Sequence, residues 1–400
     1  MTDLQPHQPP APGALASTTA PNRQDSPVLP PGLTDEEIVT RWLRLKAAGR
    51  GALSKTTQAQ YRTEAERLFW YARRIDTPIS SWTVDHLVDF LAFLQQPAPW
   101  AIRAPGVRRG SPTWRPFLGP LGDASAAQTQ KIVTSLFAWL RDIGYLRVNP
   151  AAGVPSIGRA AGANQARFLS VEDCALMREA ISARTSDTEE DRLRQARDAF
   201  LVDLFAITGL RTSEAVNAHM RDFQMVPVPS ALRREDPTLP EYTWLLQVRH
   251  GKGGKPRVVP CAAIIPALQL YRLAFGLPAV PLPDESGWLI LSVRRTQFGE
   301  RKPLRSRVAV WKIITGICAE ACEFAKTSDR TIDVQRLEHA STHWLRHTYA
   351  KGLVKANVSE RHKLDNMGHA DRRTFDQYDD DEVIRRVLAT DRARRPGGAQ

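Results

Sequence analysis

The chain has 400 residues, 42% of them hydrophobic, with a formal net charge of +12. That length exceeds one ordinary core and predicts two domains plus tails, and the charge favours nucleic acid over an anionic membrane or a merely solvated basic surface. No apolar run is long enough to span a bilayer and the N-terminus lacks signal-peptide features, so a cytosolic protein is expected.

Residues 1–32, with prolines from Pro6 through Pro31, carry little charge and no apolar period, and read as a disordered arm. From Leu33 to about Val148 the pattern is helical. Thr34-Asp35-Glu36-Glu37 starts a first helix with Ile38, Trp42 and Leu43 on one face. Ser54-Lys55-Thr56-Thr57 starts a second, with Tyr61, Ala65, Leu68, Phe69 and Ala72 inward. A third runs near Val84–Leu94 and a fourth from about Ala126 to Ile143. Between the last two, Pro97–Gly122 is longer than a usual helix–helix connection and mixes Trp100 and Trp114 with Arg103, Arg108, Arg109 and Arg115. It suits contact with a sugar-phosphate backbone or a partner protein, and equally an ordinary surface insertion.

Residues 151–167, which include Arg159, read as a linker after Asn149-Pro150. A second domain spans 168–390, with helices near Val171–Ala183 and Asp191–Thr208. An antiparallel pair follows, Tyr242–His250 and Lys255–Pro260, joined by Gly251-Lys252-Gly253-Gly254; helices dominate thereafter, and residues 391–400 form a basic tail. Cys318 and Cys322 lie one turn apart in an apolar stretch with Trp311, Ile314 and Ile317. With Cys174 and Cys261 they read as buried thiols, and no metal site is expected.

Several features can carry chemistry. In Thr208-Gly209-Leu210-Arg211-Thr212-Ser213-Glu214, Gly209 can end one helix and Thr212 or Ser213 can cap the next. Arg211 then sits at a helix–helix corner, as an anion ligand or as a surface arginine paired with an acid; Glu214 can hold an arginine in place. Lys252 at the hairpin tip is a mobile point charge or a plain turn lysine, and no P-loop is matched. His343 and Arg346 share a helix face, whereas His347 points to a neighbouring one. His369 follows a helix-ending Gly368, and Tyr378 lies in an acidic stretch, Asp376–Asp381.

Arg211, Lys252, His343, Arg346, His369 and Tyr378 occur in an order and spacing that resembles the tyrosine recombinase (phage integrase-like) family. The segments Thr208–Glu214, Gly251–Pro260 and His343–Ala350, then Gly368-His369 and Tyr378, carry the resemblance. It implies an α+β fold, mainly helical with a small antiparallel sheet. A helical SAM-like core-binding domain (33–150) and a catalytic domain would together form a C-shaped clamp on double-stranded DNA.

The resemblance also implies that Tyr378 attacks a phosphate to give a 3′-phosphotyrosine and a free 5′-hydroxyl. Arg211 and Arg346 would bind the non-bridging oxygens, and Lys252 would protonate the leaving oxygen. His343 would assist proton transfer, His369 would donate to the phosphate, and Glu214 would orient the first arginine. Neither ATP, metal nor other cofactor is required. Lys55, Thr56, Arg108, Arg109, Arg115, Arg159 and Lys255 are the expected DNA contacts. The implied assembly is a dimer per site and a tetramer on two sites, exchanging strands through a Holliday junction in a bacterial cytoplasm at the nucleoid. A partner recombinase or accessory DNA-bending protein stays open.

Val383, Ile384, Val387 and Leu388, at helical spacing, would dock on a neighbouring protomer, the alternative being a helix packed on its own chain. Arg221–Thr243 is longer than in compact members, and Met367-Gly368-His369-Ala370-Asp371 departs from the commoner Leu-Gly-His-Ser/Ala-Ser while keeping the histidine. Two rival readings are a monomeric type IB topoisomerase-like enzyme and a non-cleaving DNA-binding regulator of the same fold.

Overall fold

A computed structural model describes residues 21–49, 51–158, 167–249, 251, 255–328, 334–368 and 387–391. The chain divides into two compact units, 1–163 and 164–400, with the division inside the expected linker. Among the described residues no helix is long and apolar enough to cross a membrane.

The first unit holds helices α1 (Asp35–Lys46), α2 (Lys55–Arg74), α3 (Val84–Gln95) and α4 (Asp123–Asp142). Thr34 and Glu37 form a reciprocal capping box on α1, and the Ser54 hydroxyl accepts from Thr57 N–H to start α2. Their apolar faces meet in a core that includes Trp42, Leu68, Phe90, Leu94 and Phe137. Buried Asp35 ties the elements together by accepting from Ser80 N–H at 3.0 Å and from the Tyr145 hydroxyl.

The structure corrects two sequence expectations here. Residues 21–32 are not a free arm: Gln24 N–H donates to Tyr145 O, Arg147 N–H donates to Asn22 O, and Leu29 packs on the core. The start of the expected linker is likewise held, because Ile157 N–H donates to Gln130 Oε1 at 2.7 Å. The Pro97–Gly122 excursion is also built into the unit. Phe117 is fully buried, Trp70 stacks on Trp100 at 5.8 Å, and Arg103 N–H closes the segment onto Phe117 O.

The second unit is organised around α6 (Glu189–Thr208), which packs on α5 (Val171–Ser182) and on four elements given below. After the short α7 (Thr212–Ala215) comes a three-stranded antiparallel sheet, β1 (Phe223–Pro227), β2 (Tyr242–Val248) and β3 (Arg257–Pro260), paired Phe223 to Leu246 and Leu246 to Val259. Strand β1 was not foreseen, nor was the hairpin β4 (Leu291–Arg295) and β5 (Arg301–Pro303) that interrupts the helices. Helices α9 (Ile265–Ala274), α10 (Arg307–Thr327), α11 (Val334–Glu338), α12 (Thr342–Lys355) and α13 (Glu360–Met367) complete the unit; α9, α10, α12 and β4 contact α6. All four cysteines are buried.

The long β1–β2 connection contains α8 (Ser230–Glu235). Its Leu232 joins Val228 and Leu245 in a separate apolar cluster that Val387 and Leu388 complete. Residues 387–391 dock on their own chain, pinned by Thr390 to Asn366 and by Asp391 to Thr243. Burying one valine and one leucine contributes about 1.5–3 kcal/mol each. Val383 and Ile384 lie outside the described residues.

Candidate active site

The site begins where α6 stops. Gly209 takes φ +60°, and a Cβ there would lie 2.3 Å from Cδ1 of the buried Tyr349, so both backbone and packing require glycine. The turn sends the Gly209 carbonyl toward α12, where it accepts from Nη1 of Arg346. Two residues later Arg211 starts α7. Its N–H donates to Glu214 Oε2 and its Nη1 to Oε1, both at 2.8 Å.

Glu214 also receives both Nη groups of Arg257, from β3, at 2.7 Å each. The two side chains are 2% and 7% exposed, so this fork is held in a dry setting. Arg257 Nε reaches Asn366 O at 3.1 Å, Arg211 Nη2 reaches Gly368 O at 3.2 Å, and Arg346 Nη2 donates to Met367 O. Gly368 ends α13 at φ +58°, and a Cβ on it would touch Arg257 Cδ at 3.0 Å. Thus α6, α7, β3, α12 and α13 converge, with Thr212 bonded to Thr342 across the corner.

Arg211 and Arg257 share the Glu214 carboxylate while Arg346 is held by carbonyls, leaving positive charge in excess. Burial alone would raise the Glu214 carboxyl, but the hydrogen bonds and charge of Arg257, then Arg211, hold it below the ordinary range. Burial and the neighbouring Arg211 and Arg257 push Arg346 down to about 10. Partial burial, then His347, Arg346, Arg167 and Arg211, lower His343 below its usual value, which favours the neutral imidazole. His347 meets His343 edge-on at 4.4 Å, on the neighbouring helix face expected for it.

The arginines open on a cleft of about 460 Å³ lined by Leu210, Arg211, Thr212, Ser213, Thr342, His343 and Arg346, with Arg307, Val308 and Trp311 of α10 opposite. Trp311, from the apolar stretch that holds Cys318, is 46% exposed.

Of the residues singled out in the sequence, Arg211, Glu214, His343 and Arg346 are brought together. Lys252, His369 and Tyr378 lie outside the described residues, as does Arg159. Lys255 is exposed beside the hairpin tip, where its carbonyl accepts from Gly251 N–H. Lys55 and Thr56 are exposed on the first turn of α2, and Arg108 is exposed in the excursion. Arg109 pairs with Glu66, and Arg115 donates inward to the carbonyls of Pro112 and Trp114, which makes it a loop brace. Arg257 was missed. Its signal was an arginine on the same strand face as buried Val259, a position that demands a buried acid.

A family model described as "Phage integrase family" matches residues 177–383, more than half of the chain. The chain belongs to the phage integrase family. Family membership places it among the enzymes that break and rejoin DNA strands in site-specific recombination. This integrase-family chain is 26% identical over 345 residues to tyrosine recombinase XerD of Corynebacterium glutamicum, covering 85% of itself and 92% of that relative. It is also 26% identical over 269 residues to tyrosine recombinase XerC of Thermodesulfovibrio yellowstonii, covering 64% and 72% respectively. The fold resembles a lambda integrase dimer bound to a COC′ core site, with TM-score 0.52 and 13% identity, covering 87% of this chain and 99% of that one.

Proposed function

We propose that this integrase-family enzyme cuts double-stranded DNA through Tyr378, forming a 3′-phosphotyrosine and freeing a 5′-hydroxyl. The observation that carries the reading is the convergence of Arg211 and Arg346 on one cleft, both braced by carbonyls and, for Arg211, by Glu214. Two preorganised guanidiniums can bind the non-bridging oxygens and offset charge that grows in the transition state. A neutral His343 can accept the phenol proton, since cationic neighbours favour the phenolate. Lys252 is assigned as acid for the leaving oxygen and His369 as donor to the phosphate.

In this reading residues 33–150 are the DNA-clamping domain and 168–390 the catalytic one. Lys55, Thr56 and Arg108 contact the backbone, a dimer forms on each site, and a tetramer exchanges strands through a Holliday junction. The enzyme works in the cytoplasm at the nucleoid. The lambda integrase dimer bound to a COC′ core site supports a dimer on each site.

Tyr378→Phe tests it. The variant should form no covalent adduct when cleaved genomic DNA is trapped, while binding duplex DNA within a few-fold of wild type. Loss of binding would argue against a nucleophile role, and a wild-type protein that forms no adduct would sink the proposal.

A further inference from the structure

A second cationic device lies near the cleft. Arg305, just before α10, stacks over the Trp288 ring with its guanidinium carbon 4.3 Å from the centroid. Trp288 in turn lies against His219 at 4.2 Å, and the two residues also share an isolated β-bridge. Trp288 thus touches both His219 and Arg305, and Arg305 is exposed.

What separates Arg305 from its neighbours is its unspent charge. Arg301 also rests on a ring, Phe275, yet it donates to Glu189 at 2.7 Å. Arg257 gives its donors to Glu214 and the Asn366 carbonyl, and Arg346 gives one from each Nη to a carbonyl. Among the described residues no carboxylate or carbonyl accepts from Arg305, nor from Arg307 two residues on, which lines the cleft. A long side chain normally loses rotamer freedom when it grips a ligand; stacking on an indole removes that freedom beforehand and leaves the fork of donors outward.

We propose that Arg305 is a preorganised clamp for a DNA phosphate flanking the one held in the cleft. Trp288 and His219 are positioning residues that hold its guanidinium extended. The inference rests on the recombinase reading of the cleft, but it concerns sequence-independent backbone binding and so can be measured apart from cleavage.

The test is the affinity of the full chain for a random-sequence duplex as a function of salt, for wild type, Arg305→Ala, Trp288→Leu and the double variant. Arg305→Ala should weaken binding on the order of tenfold at low salt and reduce the log–log salt slope by about 0.9, the signature of one lost phosphate contact. Trp288→Leu keeps the charge and should give a smaller loss that vanishes in the Arg305→Ala background; a merely structural tryptophan would cost the same in both.

Wild-type affinity and slope for Arg305→Ala would overturn the proposal. So would unchanged binding to a duplex that holds one protomer, coupled with poorer occupancy by a second, because Arg305 would then meet an acidic surface of another copy. Trapping of the wild-type Tyr378 adduct, measured separately, reports on the recombinase reading alone.

Discussion

Replacing Glu214 by glutamine probes the centre of the site. Its carboxylate accepts four hydrogen bonds: two from Arg257 at 2.7 Å, one from Arg211 Nη1 at 2.8 Å, and one from Arg211 N–H at 2.8 Å. In Glu214→Gln the charge is lost and an NH₂ group faces guanidinium donors. Arg257 is left buried without a counter-charge. Breaking a buried pair in this way costs about 3–5 kcal/mol. With a urea m-value of about 1–3 kcal/mol/M, the unfolding midpoint should fall by roughly 1 M or more.

The pH dependence has a definite sign. The folded-state pKa of Glu214 is depressed, so its stabilisation is fully present above the ordinary value of 4.5 and is lost as pH falls through the lower folded value. The gap between wild type and Glu214→Gln should therefore be widest near neutrality and close in acid. Urea titrations at several pH values, followed by circular dichroism, measure it. A variant with the wild-type midpoint at pH 7, or with the same gap in strong acid, would refute the reasoning.

Gly209→Ala must force a left-handed residue and displace the Tyr349 ring, at a cost of about 2–4 kcal/mol, and adduct formation should fall as the Gly209–Arg346 bond shifts; thermal melts and single-turnover cleavage check both. Because the neutral form of His343 is favoured, cleavage should lose rate only as pH drops below the usual histidine value of 6.5, and His343→Gln should remove that acid limb. An acid limb centred above 6.5 would exclude His343 as its source.

Much of the catalytic corner was legible in the sequence because it depends on local rules. Gly209 ends a helix, Glu214 lies one turn from Arg211, and a three-residue spacing aligns His343 with Arg346. What was not legible depends on contacts between distant residues. The Glu214–Arg257 fork spans the α7–β3 separation, and Trp311 faces the cleft because α10 buries Val310 and Ile314 instead. Residues 21–32 lack any apolar period, yet their order comes from backbone bonds to Tyr145 and Arg147 and from the Asn22 and Ser26 side chains bonding to Val148 and Ile143, which no pattern within the segment reveals. Val387 and Leu388 announced an apolar helix face. Only the insertion around α8 decided that the face is covered by its own chain.

That self-docking sets a fixed point on the far side of residues 369–386. The stretch 369–386 is fastened to one domain at both ends: at Gly368, whose carbonyl accepts from Arg211, and at Val387, buried beside Leu232. Tyr378 is ten residues from one anchor and nine from the other. At roughly 3.3–3.6 Å per residue it cannot stray beyond about 30–36 Å from either. The buried contact around Leu232 thus bounds the reach of the chain between the two anchors for as long as residues 387–391 stay seated.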